Sequence, residues 1–174
     1  IAGNGNYLFY TGNWFAARSK NGGKTWKYLN PHTYLPLPGT PFDCDQNCLH
    51  DARRNLIFWL SQYEKDLITG ENTLRLAVDH NDLNHWNYWD FQPYQINRRW
   101  RGNWFDYNHA ALSDHFLYIG SNMYRQDRWL RTVIFRIPLN CFDDPQSPLY
   151  YDYYESSLFG SLRCTQGATD TMYF

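Results

Sequence analysis

Ser19-Lys20-Asn21-Gly22-Gly23-Lys24-Thr25-Trp26 decides the fold of this chain, because the stretch has the composition of a tight turn between two β-strands. Asn21, Gly22 and Gly23 are residue types that accept positive φ at little steric cost. An Asn-Gly pair between strand-like runs is a strong hairpin signal, and such runs occupy residues 14–18 and 25–29. We therefore predict a β-hairpin turn in which Ser19 or Asn21 binds backbone amides and Trp26 is mostly buried.

The composition of the whole chain favours a single β-rich domain. It has 174 residues, 20% of them aromatic, and a formal net charge of −1. A near-neutral chain gives no reason to expect nucleic acid or another polyanion as a partner. No apolar run approaches the ~20 residues of a membrane span, so we expect no membrane-spanning segment. The chain opens at Ile1 without methionine, as a processed or truncated product would.

Aromatic strand-like runs recur along the chain at a period of blade size. Their equivalent positions are Phe9, Phe58, Tyr118 and Tyr173, which are separated by 49, 60 and 55 residues. This period is typical of four-stranded units with elaborated loops. We predict an all-β propeller segment with blades at about 4–30, 43–91 and 104–154, a partial fourth blade at 162–174, and a first blade that lacks its innermost strand. The near-continuous apolar run around Phe58 predicts a strand buried on both faces.

A second octet, Asp79–Trp86, aligns with the first one 60 residues further along the chain. Asn81 and Trp86 hold the places of Asn21 and Trp26, whereas Leu83 and His85 depart from the pattern. We interpret it as a decayed copy of the same turn.

The four cysteines, Cys44, Cys48, Cys141 and Cys164, favour a structural role over zinc binding. The C-x3-C spacing of the first two lacks a second paired cluster, and the six histidines form no recognisable metal motif. Four cysteines allow three pairings, and the sequence does not choose among them. No metal and no cofactor are expected.

The first octet resembles the Asp-box, S-x-D-x-G-x-T-W, the hairpin repeated around sialidase-type β-propellers (also named the BNR repeat). Ser19, Gly23, Thr25 and Trp26 match its pattern, and Asn21 replaces the aspartate. The order of further segments also resembles a family of sialidase-like propeller proteins, whose members are mostly uncharacterised and secreted. These segments lie at residues 11–14, 42–46, 105–107, 135–139 and 165–173. The resemblance implies a secreted or cell-surface protein, and a closed ring of this type needs about twice as many blades as this chain provides.

Propellers bind ligands at the rim where their innermost strands begin. The residues that enter those strands here are Asp45, Gln46, Asp106, Tyr107 and Gln166. Acid, amide and phenol groups that converge on one axis suit a hydroxyl-rich ligand. The alternative is that Asp45 and Asp106 cap backbone amides and hold the blades together.

Two arginine segments offer weaker signals. Arg136 lies in a Phe-Arg-Ile-Pro sequence like the one with which sialidases grip a carboxylate, but here it follows the octet by more than 100 residues, which favours a structural or surface role. Arg98-Arg99-Trp100-Arg101 is basic and aromatic and could stack on a sugar or bind an anion, although a solvated loop between blades is the simpler interpretation.

The sequence thus predicts an exported propeller segment that recognises a carbohydrate or another polar ligand, such as a glycan. A glycoside hydrolase of sialidase type is one alternative, with Asp45 and Asp106 as the carboxylate pair to compare. A protein-interaction scaffold is another. A second polypeptide, either a copy of this chain or the remainder of a precursor, is expected to complete the propeller.

Overall fold

A computed structural model describes residues 1–80, 82–144 and 148–174 of the chain. The described residues form three four-stranded antiparallel sheets, and the two α-helices, Pro31–Tyr34 (α1) and Pro93–Ile96 (α2), have one turn each. The prediction of an all-β chain is confirmed. Within the described part of the chain, no helix is long and apolar enough to cross a membrane.

Each sheet is a meander in which consecutive strands are neighbours. Sheet 1 contains β1 to β4, at Ala2–Asn4, Tyr7–Thr11, Ala16–Ser19 and Lys27–Leu29. Sheet 2 contains β5 to β8, at Asn47–Asp51, Leu56–Gln62, Leu74–Asp79 and Trp86–Phe91. Sheet 3 contains β9 to β12, at Trp104–Leu112, Phe116–Arg125, Arg128–Pro138 and Asp152–Ser156. The first strands contact one another in the order β1, β5, β9, so that sheet 2 lies between the other two.

The second strand of the middle sheet, β6, lies between two apolar clusters, one shared with sheet 1 and one shared with sheet 3. All seven of its residues are buried, and alternate side chains point to opposite faces. Ile57 and Trp59 pack against sheet 1, where the Trp59 ring lies 5.0 Å from Phe9; Trp86, on β8 of the same sheet as Trp59, lies 5.5 Å from that ring. Leu56, Phe58 and Leu60 pack against sheet 3. The strand is therefore buried on both faces, as its continuous apolar run predicts.

The predicted turn at Ser19–Trp26 is present and joins β3 to β4. Ser19 Oγ accepts a hydrogen bond from the Gly23 amide at 2.9 Å, and Asn21 Oδ1 accepts one from the Thr25 amide at 2.9 Å. Gly22 and Gly23 have φ of +67° and +83°, which glycine adopts without the strain of a Cβ atom. The prediction that Ser19 or Asn21 binds backbone amides is confirmed.

The prediction that Trp26 is mostly buried was wrong, since 43% of this residue is exposed. Its indole Nε1 donates to the Gly23 carbonyl at 3.0 Å, and its ring approaches Tyr10 at 6.4 Å. The physical reason appears in the second octet. Trp86, at the equivalent position, is partly buried because Phe9 of sheet 1 packs on it, whereas Trp26 and its neighbour Tyr10 on sheet 1 are both exposed.

The second octet folds into the same kind of turn with different residues. Asp79 Oδ1 accepts hydrogen bonds from the amides of Asp82 and Leu83 at 2.8 Å, and its Oδ2 accepts one from the His85 amide at 3.2 Å. The single carboxylate of Asp79 thus accepts the kind of amide hydrogen bonds that Ser19 and Asn21 accept together in the first octet. Leu83 has φ of +57° in the place of Gly23. Asn81, on which the alignment partly rests, lies outside the described residues.

The structure differs from the sequence prediction at both ends of the chain. The first sheet has its first strand, β1, contrary to prediction, because Ala2-Gly3-Asn4 lacks the β-branched and aromatic residues that signal a strand. Residues 157–174 contain no strand. They lie against the outer face of sheet 3, where Cys164 packs with Ala111, Tyr118 and Ile134.

Candidate functional site

All the predicted rim residues except Gln166 lie where β5 and β9 begin, and we call this side of the molecule the first-strand end. The neighbouring sheets are tied together there, since the Asn72 side chain exchanges two hydrogen bonds of 2.8 Å with the backbone of Phe105. The opposite end is likewise defined by contacts between sheets, such as the ion pair of Arg53 with Asp114 at 3.0 Å. Sheets 2 and 3 therefore run side by side in the same direction.

A buried amide links carboxylates from the two sheets. Gln62 Nε2 donates to Asp43 Oδ2 at 3.1 Å and to Asp106 Oδ1 at 3.5 Å. Gln62 Oε1 in turn accepts a hydrogen bond from the Asn108 side chain. Both amide residues are buried, and the remaining acceptor of Asn108, its Oδ1 atom, has no hydrogen-bond partner among the described residues. The amides hold Asp43 and Asp106 close together, and an acceptor beside them is left free.

Asp45 is the residue whose ionisation this arrangement affects most clearly. Burial raises the pKa of its carboxyl group, and the negative charges of Asp106 and Asp43 raise it further. The Cys44 thiol beside it responds in the same way: burial, Asp43 and Asp45 together raise its pKa to about 11. Cys44 is consequently a neutral thiol at physiological pH, and the carboxylates form the reactive part of this group.

Tyr107 supplies an aromatic surface next to the carboxylates. It is 44% exposed, and the Arg163 guanidinium lies over its ring at 4.3 Å from the centroid. Arg163 also offsets part of the rise in the pKa of Asp45, which places its positive charge near that carboxylate. The first-strand end thus combines acceptors, one cation and an aromatic face.

Asp45 and Tyr107 share an unusual backbone conformation. Their φ angles are +61° and +58°, in the left-handed region that residues with a Cβ atom seldom adopt. Tyr107 lies at an irregularity of β9, where the register against β10 shifts between Gly120 and Asn122. A bulge of this kind redirects side chains at the edge of a sheet. Both residues directly precede an amide residue that binds the neighbouring structure, Gln46 in one case and Asn108 in the other.

The two predicted amide ligands are occupied by protein groups. Gln46 Nε2 donates to the carbonyls of Gly12 at 2.6 Å and Phe15 at 3.2 Å, and Gln46 Oε1 accepts from Trp59 Nε1 at 2.8 Å. Gln166 Nε2 donates to the Ala110 carbonyl at 2.7 Å. In this structure Gln46 joins sheets 1 and 2, and Gln166 fixes the C-terminal segment to β9.

Comparison of this chain with protein-family models, with curated proteins and with solved structures finds no match. No known protein found by these comparisons therefore adds to the likeness to sialidase-like propellers.

The remaining candidate groups have partners or lack a site. Arg136 forms a two-point ion pair with Asp152 at 3.0 and 2.5 Å. All four cysteines are free thiols. Among residues 1–80, 82–144 and 148–174, no group of three or more His, Cys, Asp or Glu side chains is arranged to hold a metal ion.

The sequence reasoning missed four members of the group, namely Asp43, Gln62, Asn108 and Arg163. Asp43 had a usable signal, because the dipeptide Phe-Asp occurs shortly before β5, as Phe42-Asp43, and at the start of β9, as Phe105-Asp106. Gln62 and Arg163 lie on other elements, so only the packing of the sheets brings them to the site.

Proposed function

We propose that this chain is a segment of a sialidase-like β-propeller that is exported and recognises a carbohydrate or another polar ligand at the first-strand end. Three successive four-stranded meanders with adjacent first strands support the propeller assignment. The octets at Ser19–Trp26 and Asp79–Trp86 support the sialidase-like type, since each closes an outer hairpin through side-chain bonds to backbone amides.

The observation that carries the ligand site is the convergence of Asp45, Asp106 and Tyr107 from two sheets. Carboxylate oxygens accept hydrogen bonds from hydroxyl groups, and an aromatic face packs against the apolar face of a sugar ring. The unpaired Asn108 Oδ1 adds a further acceptor beside the carboxylates. A few converging polar groups beside an apolar surface are the usual composition of a small-ligand site.

The test measures ligand binding by variants that remove one charge at a time. Asp45→Asn and Asp106→Asn keep the shape of each side chain, and each should weaken binding to a glycan array by roughly tenfold or more, as expected for a lost hydrogen bond to a charged group. Asp114→Asn is the matched control, because Asp114 lies at the opposite end and pairs with Arg53.

Two results would contradict the proposed site. If both variants unfold, the two aspartates hold the sheets together and have no ligand to bind. If both stay folded, as judged by circular dichroism, and the array signal is unchanged, then Asp45 and Asp106 do not contact a ligand.

A glycoside hydrolase is the second candidate function, and the state of Asp45 favours it. Hydrolases pair a carboxyl group of raised pKa, the general acid, with an ionised carboxylate. The pKa of Asp45 is raised by burial and by its neighbour Asp106. Release of nitrophenol from aryl glycosides, lost in Asp45→Asn, would distinguish hydrolysis from binding alone.

The proposal includes a second polypeptide that completes the ring. Sheet 1 exposes Trp26, Tyr10 and Tyr28, and the far side of sheet 3 exposes Tyr154 and Phe174. Large exposed apolar surfaces are uncommon on monomers and mark interaction sites. Trp86, at the equivalent position of the second turn, packs on Phe9 of the neighbouring sheet, which supports a similar contact for Trp26 in the proposed ring.

A further inference from the structure

The first-strand end carries separate apolar protrusions on all three sheets. Leu67 and Ile68, at the tip of the β6–β7 loop, are 99% and 94% exposed, and Leu158, which follows β12, is 83% exposed. These are the three most exposed large apolar residues of the described chain. Trp14, in the turn between β2 and β3, and Phe159 are also exposed. Transfer of such side chains out of water is favourable, so their display requires an explanation.

Strand connectivity places these protrusions on the same side of the molecule. β2 ends at Thr11 and β6 ends at Gln62, close to the residues that enter β5, since Gln46 binds Gly12 and Asp43 binds the Gln62 carbonyl at 3.0 Å. The segment after β12 returns to the same end, because the Ser161 amide donates to Asn122 Oδ1 at 2.8 Å and Asn122 lies opposite Asp106.

The β6–β7 loop is built to hold its apolar tip outward. Asp66 Oδ1 accepts hydrogen bonds from the amides of Ile68 at 2.9 Å and Thr69 at 2.7 Å, and the Gly70 amide donates to the Asp66 carbonyl at 2.8 Å. Glu71 fixes the base of the loop, where its carboxylate accepts from the Gly102 amide at 2.8 Å. Because the loop is closed by its own hydrogen bonds, the exposure of Leu67 and Ile68 is not a result of disorder in the loop.

The outer layer of this end is positively charged. Its exposed cations are Lys65, Arg98, Arg99, Arg101, Arg125, Arg128 and Arg163. None of them forms an ion pair with a described residue. Its exposed carboxylates are Glu64, Asp66, Asp127 and, paired with arginines of β7 and β11, Asp90 and Glu155, whereas Asp43, Asp45, Glu71 and Asp106 are half-buried. Among the exposed charges of this end that lack an ion-pair partner in the described chain, cations therefore outnumber carboxylates.

We propose that the first-strand end docks on the surface of an anionic lipid bilayer, with Leu67, Ile68 and Leu158 inserted among the lipids and the arginines at the headgroups. Separate apolar protrusions with cations between them fit a fluid bilayer, which admits each one independently. A protein partner instead requires a continuous, complementary patch. Insertion of apolar side chains and attraction of Lys and Arg to anionic headgroups add together in binding to a membrane surface.

The test is cosedimentation of the purified chain with vesicles of phosphatidylcholine containing about 30 mol% phosphatidylserine, a composition with a strongly negative surface. We expect binding that falls by roughly tenfold or more in Leu67→Ser/Ile68→Ser, and by a similar factor in Arg98→Gln/Arg99→Gln or on vesicles of phosphatidylcholine alone. Lys20→Gln/Lys24→Gln, in the turn at the opposite end, is the matched charge control and should bind as the wild type does.

Three results would overturn the proposal: sedimentation of the wild type no greater than without vesicles, full binding by the Leu67 and Ile68 variant, or self-association of the chain that this variant abolishes. Because the substituted side chains are exposed, circular dichroism should show unchanged folding. The inference is independent of the polar-ligand site, since Asp45→Asn should bind vesicles normally and Leu67→Ser/Ile68→Ser should retain binding to soluble glycans.

Discussion

His109 and Gly120 face each other across β9 and β10, and their contact leaves no room for a larger residue. A Cβ atom added to Gly120 would lie 2.2 Å from the His109 ring, which is itself buried. We expect Gly120→Ala to lower the free energy of unfolding by about 1–3 kcal/mol through overpacking. Chemical denaturation measures this loss. The double variant His109→Ala/Gly120→Ala should lose less free energy of unfolding than the two single variants lose together, because His109→Ala removes the ring that the new methyl group would meet. Losses that add exactly would contradict the contact.

The same histidine should make stability depend on pH. Burial, and then the nearby charge of Arg163, lower the pKa of His109 to about 4, and its Nε2 accepts a hydrogen bond from the Cys164 amide at 2.9 Å. The unfolded chain, with an ordinary histidine, binds the proton more readily between pH 6.5 and 4, so the free energy of unfolding should fall as the pH drops through that window. Denaturation at pH 7.5 and 5 should show a loss of roughly 2 kcal/mol, which His109→Gln reduces.

The two octet turns each carry a tryptophan at the same position, but the two tryptophans differ in their surroundings. Trp86 packs between sheets 1 and 2, where its ring lies 5.0 Å from Phe9, whereas Trp26 is nearly half exposed. Trp86→Ala should therefore cost about 3–5 kcal/mol in the isolated chain, and Trp26→Ala about 1 kcal/mol. Urea denaturation of the two variants measures the difference, and equal losses would contradict the assigned packing.

Some elements of the fold could be predicted from the sequence, whereas contacts between sheets could not. The turn at Ser19–Trp26 and the doubly buried strand β6 were predictable, because turn chemistry and apolar runs act locally. The roles of Gln46 and Asn108 were not predictable. Gln46 was expected to bind a ligand, yet its amide joins Trp59 to the turn that contains Gly12. Such a role depends on which sheets become neighbours, and no local pattern reports that.

At the scale of the whole molecule, the exposed faces of sheets 1 and 3 lead to a prediction about mass. We expect the chain to associate with a second polypeptide, so that light scattering after gel filtration gives a mass above the 20.9 kDa of one chain. Trp26→Arg should weaken this association by burying a charge in the interface, while Leu67→Arg serves as an exposed control in the β6–β7 loop of the middle sheet. A single folded species of 20.9 kDa would contradict the expectation.

Sheets 1 and 2, which Gln46 joins, are synthesised one after the other. Sheet 1 is complete by Leu29, but its covering residues, Trp59 and Trp86, are synthesised later. At elongation rates of roughly 5–20 residues per second, the first sheet waits for seconds on the ribosome with Phe9 uncovered. The nascent chain therefore exposes an aromatic surface until the strands of sheet 2 have been synthesised.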